Sequence, residues 1–175
     1  MTTLARHAPC LLKVEIALPC GEWRHACPAV ETLARSAAET AWRRAIPPMP
    51  ASDAPVVIGL ILTDDAEQRR LNRAHRGRDM ATNVLAFPAM DPAVPVPPGA
   101  PLLLGDVVLA FETVRREAAE QDKPLADHLR HLVVHGVLHL LGYDHETGVE
   151  AEAMEARECE ILAALGVPDP YRDTM

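Results

Sequence analysis

The sequence predicts an α/β (α+β) protein, in which a small mixed four-stranded sheet carries about five helices. Four short segments of branched or alternating apolar residues are typical of strands, and five longer segments repeat their apolar residues with the helical period. With 49% hydrophobic residues in 175, the chain can bury a core and is expected to form one domain over residues 1–175.

The predicted elements follow one another as β-α-β-α-β-β-α-α-α. The strands are predicted at 11–18, 56–62, 83–87 and 102–110. The helices are predicted at 28–45, 65–75, 111–122, 124–141 and 149–165. Residues 88–101 contain six prolines and one glycine, so we expect a surface loop there rather than a strand.

The net charge of −8 taken alone argues against a nucleic-acid partner. The charges are unevenly distributed, however. Residues 69–78 hold five Arg, one His and no acid, whereas residues 144–160 hold seven acids and one Arg. No apolar run approaches the ~18 residues of a membrane span, and the N-terminus lacks a continuous apolar signal segment. We therefore expect a soluble, cytoplasmic protein without a membrane partner.

The four cysteines, Cys10, Cys20, Cys27 and Cys159, do not show the C-x2-C spacing of a zinc site. Two interpretations remain for them. A disulfide could join two of the first three, or all four could be small apolar fillers, which is the preferred interpretation for a cytosolic chain.

Three histidines form the most specific motif in the chain. The stretch HGVLHLLGYDH places His135, His139 and His145 at the spacing H-x3-H-x5-H. Residues four apart lie one turn above each other on a helix, so His135 and His139 can share one metal ion. Gly142 can end the helix in the left-handed conformation, which lets His145 turn back toward the same ion.

Three neutral imidazoles favour zinc, at one Zn²⁺ per chain, although nickel, copper and iron accept the same ligands. Three protein ligands leave one coordination position open, which is typical of a catalytic rather than a structural site. His131, one turn before His135, and Asp144, next to His145, are candidates to hydrogen-bond to the ligands. Asp144 could equally be a turn residue, and the histidines could be ordinary core or surface residues.

The same spacing occurs in the zinc-protease motif H-E-x-x-H-x-x-G-x-x-H, where the residue after the first His is the catalytic Glu. This chain has Gly136 at that position, so peptide hydrolysis is disfavoured.

Upstream, RRLNRAHRGRD predicts Arg69, Arg73 and Arg76 on one side of a helix. They form either a solvated helix face or a phosphate-binding ridge. Combined with a hydrolytic metal site, a ridge points to a phosphodiester substrate.

Together, HGVLHLLGYDH, LNRAHRGRDMATNVLAFP and LLLGDVVLA resemble the YbeY family of bacterial rRNA maturation factors. The resemblance runs in the same order from about residue 56 to Tyr171. It implies a small mixed sheet with helices, zincin-like in its relation to zinc-protease architecture. It also implies a single-strand-specific endoribonuclease that matures the 3′ end of 16S ribosomal RNA and acts in ribosome quality control.

Carried onto this chain, the resemblance implies a cofactor Zn²⁺ bound by His135, His139 and His145. Arg76 is implied as the functional arginine, so Arg76 and His135 are the expected catalytic residues. The candidate RNA-binding residues are Arg69, Arg73, Arg76 and Arg78. The implied partners are small-subunit ribosomal RNA and small ribosomal subunit proteins, with the Era GTPase as a further candidate.

The chain departs from the family at two places. The family usually has Tyr where His75 stands, and Pro-Thr-Asp where Ala81-Thr82-Asn83 stands. Loss of the Asp puts an acid–base role of Asn83 in doubt, whereas strand-edge hydrogen bonding is within reach of Asn.

Three functions are open at this level: metal-assisted RNA cleavage, a ribosome-assembly factor with a mainly structural zinc, and, remotely, a metallopeptidase. RNA carries its own 2′-hydroxyl nucleophile, so the lack of a base at Gly136 is less damaging for the first. The sequence does not choose between attack by the 2′-hydroxyl and attack by water. The net charge of −8 also predicts weak RNA binding unless a ribosomal partner presents the substrate.

Overall fold

A computed structural model describes residues 11–45, 54–89 and 94–172. Its strands are β1 (Leu12–Ala17), β2 (Val56–Thr63), β3 (Val84–Pro88) and β4 (Leu102–Ala110). Its helices are α1 (Glu22–Ala26), α2 (Val30–Ala45), α3 (Asp65–Arg76), α4 (Phe111–Glu120), α5 (Leu125–Leu140) and α6 (Gly148–Ala164). The predicted class, a mixed α/β fold with four strands, is therefore confirmed.

The strands form one sheet in the order β1-β2-β4-β3. β1 pairs with β2 and β2 with β4 in parallel, whereas β3 runs antiparallel to β4 and forms one edge. The edge position suits β3, because it ends at Pro88, which cannot donate a ladder hydrogen bond. In β1, Val14 is buried while its neighbours Lys13 and Glu15 are exposed, as the alternating sequence predicts.

Helix α5 lies at the centre of the molecule and contacts α2, α4, α6, β3 and β4. Its apolar residues are buried almost all round, with Leu129, Val133 and Val137 fully inaccessible. Such a helix is stable because its neighbours cover its apolar surface, since intrinsic propensity alone favours a helix of this length only weakly. The consequence for the site is that histidines on α5 are held on a rigid, deeply packed element.

The structure corrects the predicted number of helices from five to six within the described residues. The additional helix, α1, has five residues and shows no apolar period, so the sequence pattern does not mark it. Tertiary contacts hold it instead. Trp23 is fully buried, donates from its indole Nε1 to the Thr63 carbonyl at 2.9 Å, and packs edge-on against Phe111 at 5.2 Å between ring centroids.

Residues 94–101 of the proline-rich segment contain no helix or strand, in agreement with the predicted loop, while residues 90–93 lie outside the described part. The prediction of one domain over residues 1–175 likewise includes terminal residues that lie outside the described part of the chain.

Cys20, Cys27 and Cys159 are free thiols, and Cys10 lies outside the described residues. In the ranges described, no helix is long and apolar enough to cross a bilayer.

Candidate metal centre

Four histidines follow one another along α5 at helical spacing: His128, His131, His135 and His139. Successive ring centroids lie 6.2, 6.5 and 4.6 Å apart, so the last pair is the closest. This pair is separated by four residues, which stacks the two side chains on adjacent turns. His131 and His135 have the same spacing, so helix geometry places each pair on adjacent turns, and the orientation of the rings brings His135 and His139 within reach of one ion.

The three predicted ligands His135, His139 and His145, called here the cage histidines, converge on one point. One ring nitrogen from each lies within 4.8 Å of the others, and Nε2 of His135 is 3.1 Å from Nε2 of His139. A four-coordinate zinc at about 2.0–2.1 Å from each nitrogen spaces its ligand atoms about 3.3–3.4 Å apart. The His135–His139 pair already has the spacing that such an ion requires, and His145 lies close enough to complete the set of ligands.

The chain reverses directly after α5, as the motif predicts. Gly142 has φ of 93°, a conformation that side-chain-bearing residues rarely adopt, and the Tyr143 amide donates back to the Leu138 carbonyl at 3.0 Å. The Asp144 carboxylate then accepts from the His145 backbone amide at 2.7 Å. Asp144 thus shapes the turn that returns His145 to the cage, and it also lines the cleft around it.

His139 is protected from protonation by its surroundings. Burial lowers its pKa below the usual value, and the adjacent His135 and His145 lower it further because two neighbouring imidazolium ions repel each other. A lowered pKa keeps the His139 imidazole neutral at physiological pH. Only the neutral imidazole can coordinate a metal, so the surroundings of His139 favour the form that binds an ion over the protonated form.

Glu158 on α6 is a residue of the site that the sequence analysis missed. Its side chain is fully buried, with Oε1 2.5 Å from Nδ1 of His135 and Oε2 3.0 Å from Nε2 of His131. The hydroxyl of Tyr171 also donates to Oε2. His131, predicted to support the ligands, therefore reaches His135 through this shared carboxylate.

Burial by itself would raise the pKa of Glu158. The hydrogen bonds from His131 and His135 outweigh burial and lower the pKa to about 2. A signal for this residue does exist in the sequence. Glu158 shares the inward face of α6 with the buried apolar residues Met154, Ile161 and Leu162, where a carboxylate is unexpected unless it has partners.

The cage histidines open into a cleft of about 590 Å³, called here the metal cleft. Its other walls come from α3, from β3 and the residues just before it, from α5 and from the turn after α5. The lining residues are Arg76, Thr82, Asn83, Val84, Ala86, Pro88, Gly136, Gly142, Tyr143, Asp144 and Glu146. Arg76 is the arginine of this lining, and its Nη2 lies 3.4 Å from the Ala86 carbonyl of the edge strand. The structure thus brings the two predicted catalytic residues, Arg76 and His135, to one cavity.

The other arginines of the predicted ridge lie elsewhere on or just after α3. Arg69 forms a bidentate salt bridge with Asp79, in which Nε and Nη2 donate to the two carboxylate oxygens at 2.8 and 2.9 Å. Arg73 and Arg78 are exposed and, within the described residues, do not line the metal cleft. Whether they contact RNA stays a prediction, but the structure separates them from the cage.

Two buried polar residues of α3 hold the segment that leads from Arg76 to β3. Gln68 accepts from the Thr82 amide at 2.7 Å and donates to the Val108 carbonyl at 3.3 Å, and Asn72 donates to the Met80 carbonyl at 2.7 Å. These bonds tie one wall of the metal cleft to helix and sheet. The sequence pattern predicts this role for neither residue.

Asn83, which replaces the family's usual Asp, lies at the start of the edge strand. Its amide donates to the Glu117 carboxylate at 3.0 Å, and its Oδ1 accepts from the Val84 amide at 2.7 Å. Glu117 also bonds to His128 at 2.8 Å. A second cavity of about 740 Å³ adjoins this group and shares Asn83, Val84 and His135 with the metal cleft. Asn83 therefore retains the strand-edge hydrogen bonding expected of it.

Gly136 packs against the sheet. A Cβ atom at this position would lie 2.4 Å from Cγ1 of Val107 on β4, far inside van der Waals contact. Glycine is therefore a packing requirement here, and the helix has no room for the Glu that zinc proteases carry after their first histidine.

A mixed α/β fold that presents an open three-imidazole cage beside an arginine defines a candidate metal-dependent hydrolase. Residues 29–166 match the protein family described as Endoribonuclease YbeY. The chain therefore belongs to the YbeY endoribonuclease family, whose enzymes are hydrolases that act on RNA.

Individual relatives agree with this assignment. The chain is 50% identical over 161 residues to the Endoribonuclease YbeY of Paramagnetospirillum magneticum, a match that covers 91% of this chain and 96% of the relative. It is 60% identical over 117 residues to the Endoribonuclease YbeY of a Bradyrhizobium species, covering 66% of this chain and 69% of the relative. The solution structure of TM1509 from Thermotoga maritima superposes with a TM-score of 0.53 at 26% identity, covering 92% of this chain and 96% of that one.

Proposed function

We propose that this chain is a zinc-dependent endoribonuclease specific for single-stranded RNA, acting in maturation of the 3′ end of 16S ribosomal RNA and in ribosome quality control. The observation that supports the proposal is the shared cleft, in which Arg76 and the cage histidines line one cavity. Zinc is proposed because three histidine ligands with an open position are a common arrangement of catalytic zinc, while nickel, copper and iron accept the same ligands.

The residues of the metal cleft divide the chemistry between them. When bound, a divalent ion supplies Lewis acidity to a phosphate oxygen and lowers the pKa of water in its open position. Arg76 carries a permanent planar charge that matches phosphate oxygens, so it stabilises the extra negative charge of the five-coordinate transition state. Asp144 and Glu146 are carboxylates of the same lining that can accept a proton from the attacking hydroxyl.

The test combines metal analysis with cleavage of single-stranded RNA by wild type, His139→Ala and Arg76→Ala. We expect His139→Ala to lose both metal and cleavage, and a chelator to abolish wild-type cleavage until zinc is restored. Arg76→Ala should keep the metal and lose about 100- to 1,000-fold in rate, the usual effect of removing one charge-stabilising donor. Arg70→Ala is the matched control, since Arg70 lies on the same helix and pairs with Glu67.

Three outcomes would overturn parts of the proposal. Full RNA cleavage by a metal-free His139→Ala protein would exclude a catalytic metal. A folded, metal-free His135→Ala protein that binds precursor rRNA and restores its maturation in cells would favour an assembly factor with a mainly structural site. Peptide cleavage that a chelator abolishes would revive the metallopeptidase alternative, which the packing of Gly136 against Val107 disfavours.

The nature of the attacking group is decided by the ends of the products. A 2′,3′-cyclic phosphate indicates attack by the 2′-hydroxyl of RNA, whereas its complete absence from the earliest products indicates attack by water.

The proposed partners are small-subunit ribosomal RNA, small ribosomal subunit proteins and the Era GTPase. An enzyme with this role works where ribosomes are assembled, so we expect it in the cytoplasm.

A further inference from the structure

The buried carboxylate of Glu158 has an unusual position between two helices. It projects from α6, its side chain is only 1% exposed, and both of its oxygens contact histidines of α5. A carboxylate in such a place is costly unless all of its hydrogen-bonding capacity is used. Here Oε1 accepts from His135, while Oε2 accepts from His131 and from the Tyr171 hydroxyl.

We propose that Glu158 is a positioning residue for the candidate metal centre, which holds His135 with Nε2 turned toward His139 and His145. The inference rests on the proposed role of the cage histidines as metal ligands. Its geometric basis is that Glu158 contacts Nδ1 of His135 at 2.5 Å, while Nε2 of the same ring lies 3.1 Å from Nε2 of His139. The two nitrogens of one imidazole thus face two different partners.

The chemistry of imidazole explains why this contact matters. A neutral imidazole carries one proton, and a carboxylate can only accept, so the proton of His135 lies on Nδ1 and the lone pair lies on Nε2. Rotation of the ring would break the bond to Glu158. The carboxylate therefore selects both the tautomer and the ring orientation that a metal requires, a role in which loss of the partner typically reduces metal affinity.

The same helix offers a comparison pair that lacks this connection. Glu117 bonds to His128 at 2.8 Å, and His128 is buried, but neither residue belongs to the cage histidines. Both Glu–His pairs lie at α5, and both would lose an ionised acceptor on substitution by Gln. A difference in metal binding between the two Gln variants therefore isolates the contact with His135 from the general effect of removing a carboxylate that is hydrogen-bonded to a histidine of α5.

The experiment measures the zinc dissociation constant of wild type, Glu158→Gln and Glu117→Gln by competition with a chromophoric chelator at neutral pH. We expect Glu158→Gln to weaken zinc binding about 10- to 100-fold and to change the visible spectrum of the Co²⁺-loaded protein. Glu117→Gln should keep the wild-type affinity within about twofold and leave the spectrum unchanged, because its change does not touch a ligand. Circular dichroism of each metal-free protein establishes that the variants compared are folded.

A folded Glu158→Gln protein with wild-type zinc affinity and an unchanged Co²⁺ spectrum would overturn the inference. Equal weakening by both Gln variants would also overturn it, because it would indicate a purely structural role. If Glu158→Gln does not fold without metal, Glu158→Asp replaces it, since Asp keeps the charge but is shorter by one methylene. A folded Asp variant that binds zinc as tightly as wild type would again exclude positioning. Failure of wild type itself to bind any divalent ion would instead refute the proposed metal site.

Discussion

Gly136 is the single residue that distinguishes this cage from the zinc-protease motif, and its surroundings account for it. Val107 on β4 is fully buried and β-branched, so it cannot move aside for a side chain on α5. Beside this close approach of helix and sheet, the first cage histidine, His135, faces the cleft that β3 also lines. The missing base is therefore a consequence of how the ligand helix is packed.

Replacement of Gly136 by Ala should destabilise the protein. Overpacking against Val107 costs about 1–3 kcal/mol, and the better helix propensity of Ala returns at most about 1 kcal/mol. We expect a net loss near 1 kcal/mol in the free energy of unfolding, measured by urea denaturation. In the double variant Gly136→Ala/Val107→Ala, the loss in free energy of unfolding should be smaller than the sum of the losses in the two single variants. Strict additivity would contradict the packing argument.

Cys159 should be an unreactive thiol although it is only partly buried. Burial raises its pKa, a hydrogen bond to Asp169 raises it further, and the result is a pKa of about 11 instead of 9.0. At mildly alkaline pH the thiolate fraction is then about 100-fold lower than that of a free peptide thiol. Alkylation by iodoacetamide, followed by mass spectrometry, should be about tenfold slower or more, because the greater nucleophilicity of a high-pKa thiolate offsets only part of its lower abundance, and Asp169→Asn should accelerate it. Equal rates for Cys159 and a free peptide thiol would exclude the raised pKa.

At the level of elements, α6 connects two parts of the site. It begins with a capping box in which Thr147 and Glu150 bond to each other's backbone amides, two residues after His145. Ten residues or so further along, the same helix presents Glu158 to His135. The start of α6 thus fixes both the end of the turn that carries His145 and the register of the buried carboxylate.

Loss of the cap should weaken this arrangement. Thr147→Ala removes the side-chain oxygen that accepts from the Glu150 amide, and we expect a decrease of about 1 kcal/mol in the free energy of unfolding. Thr147→Ser keeps the oxygen and serves as the control, with most of the stability retained. Urea denaturation of both variants distinguishes them. If Ala and Ser prove equally stable, the capping box contributes nothing measurable.

At the scale of the whole molecule, charge limits the affinity for RNA. The net charge is −8, and two arginines of the basic segment, Arg69 and Arg70, are paired with Asp79 and Glu67. Within the described lining of the metal cleft, Arg76 is the residue with a permanent positive charge. Within the cleft itself, few phosphate contacts are thus available to a single strand.

We therefore expect the isolated protein to bind single-stranded RNA only weakly at physiological salt, with a dissociation constant in the micromolar range or above. The logarithm of the affinity should fall with the logarithm of salt concentration at a slope of about −0.7 for each phosphate contacted, giving a shallow dependence. Fluorescence anisotropy of a labelled RNA over a salt series measures both quantities. Nanomolar binding at physiological salt would show that unassisted recognition is strong.

Local patterns determined much of this protein in advance. The alternation in β1 and the apolar surface of α5 report which faces are buried, because removal of apolar surface from water is what folds the chain. The spacing of His135 and His139 follows from the rise and turn of any α-helix, and Gly142 marks the reversal, so the cage could be predicted without a structure. Family membership could also be predicted from the sequence, since the motifs lie in continuous stretches of the chain.

Other features depended on how distant elements pack. Glu158 contacts His135 because α6 packs on α5. Arg76 lines the metal cleft and Arg69 does not, because of how α3 lies relative to β3. Helix α1 forms because Trp23 donates to the Thr63 carbonyl. The constraint on Gly136 arises likewise from a side chain on another element, Val107. Local geometry repeats in every helix and strand and can be taken from sequence. Which side chains meet between elements is set by the relative placement of those elements, which no local period encodes.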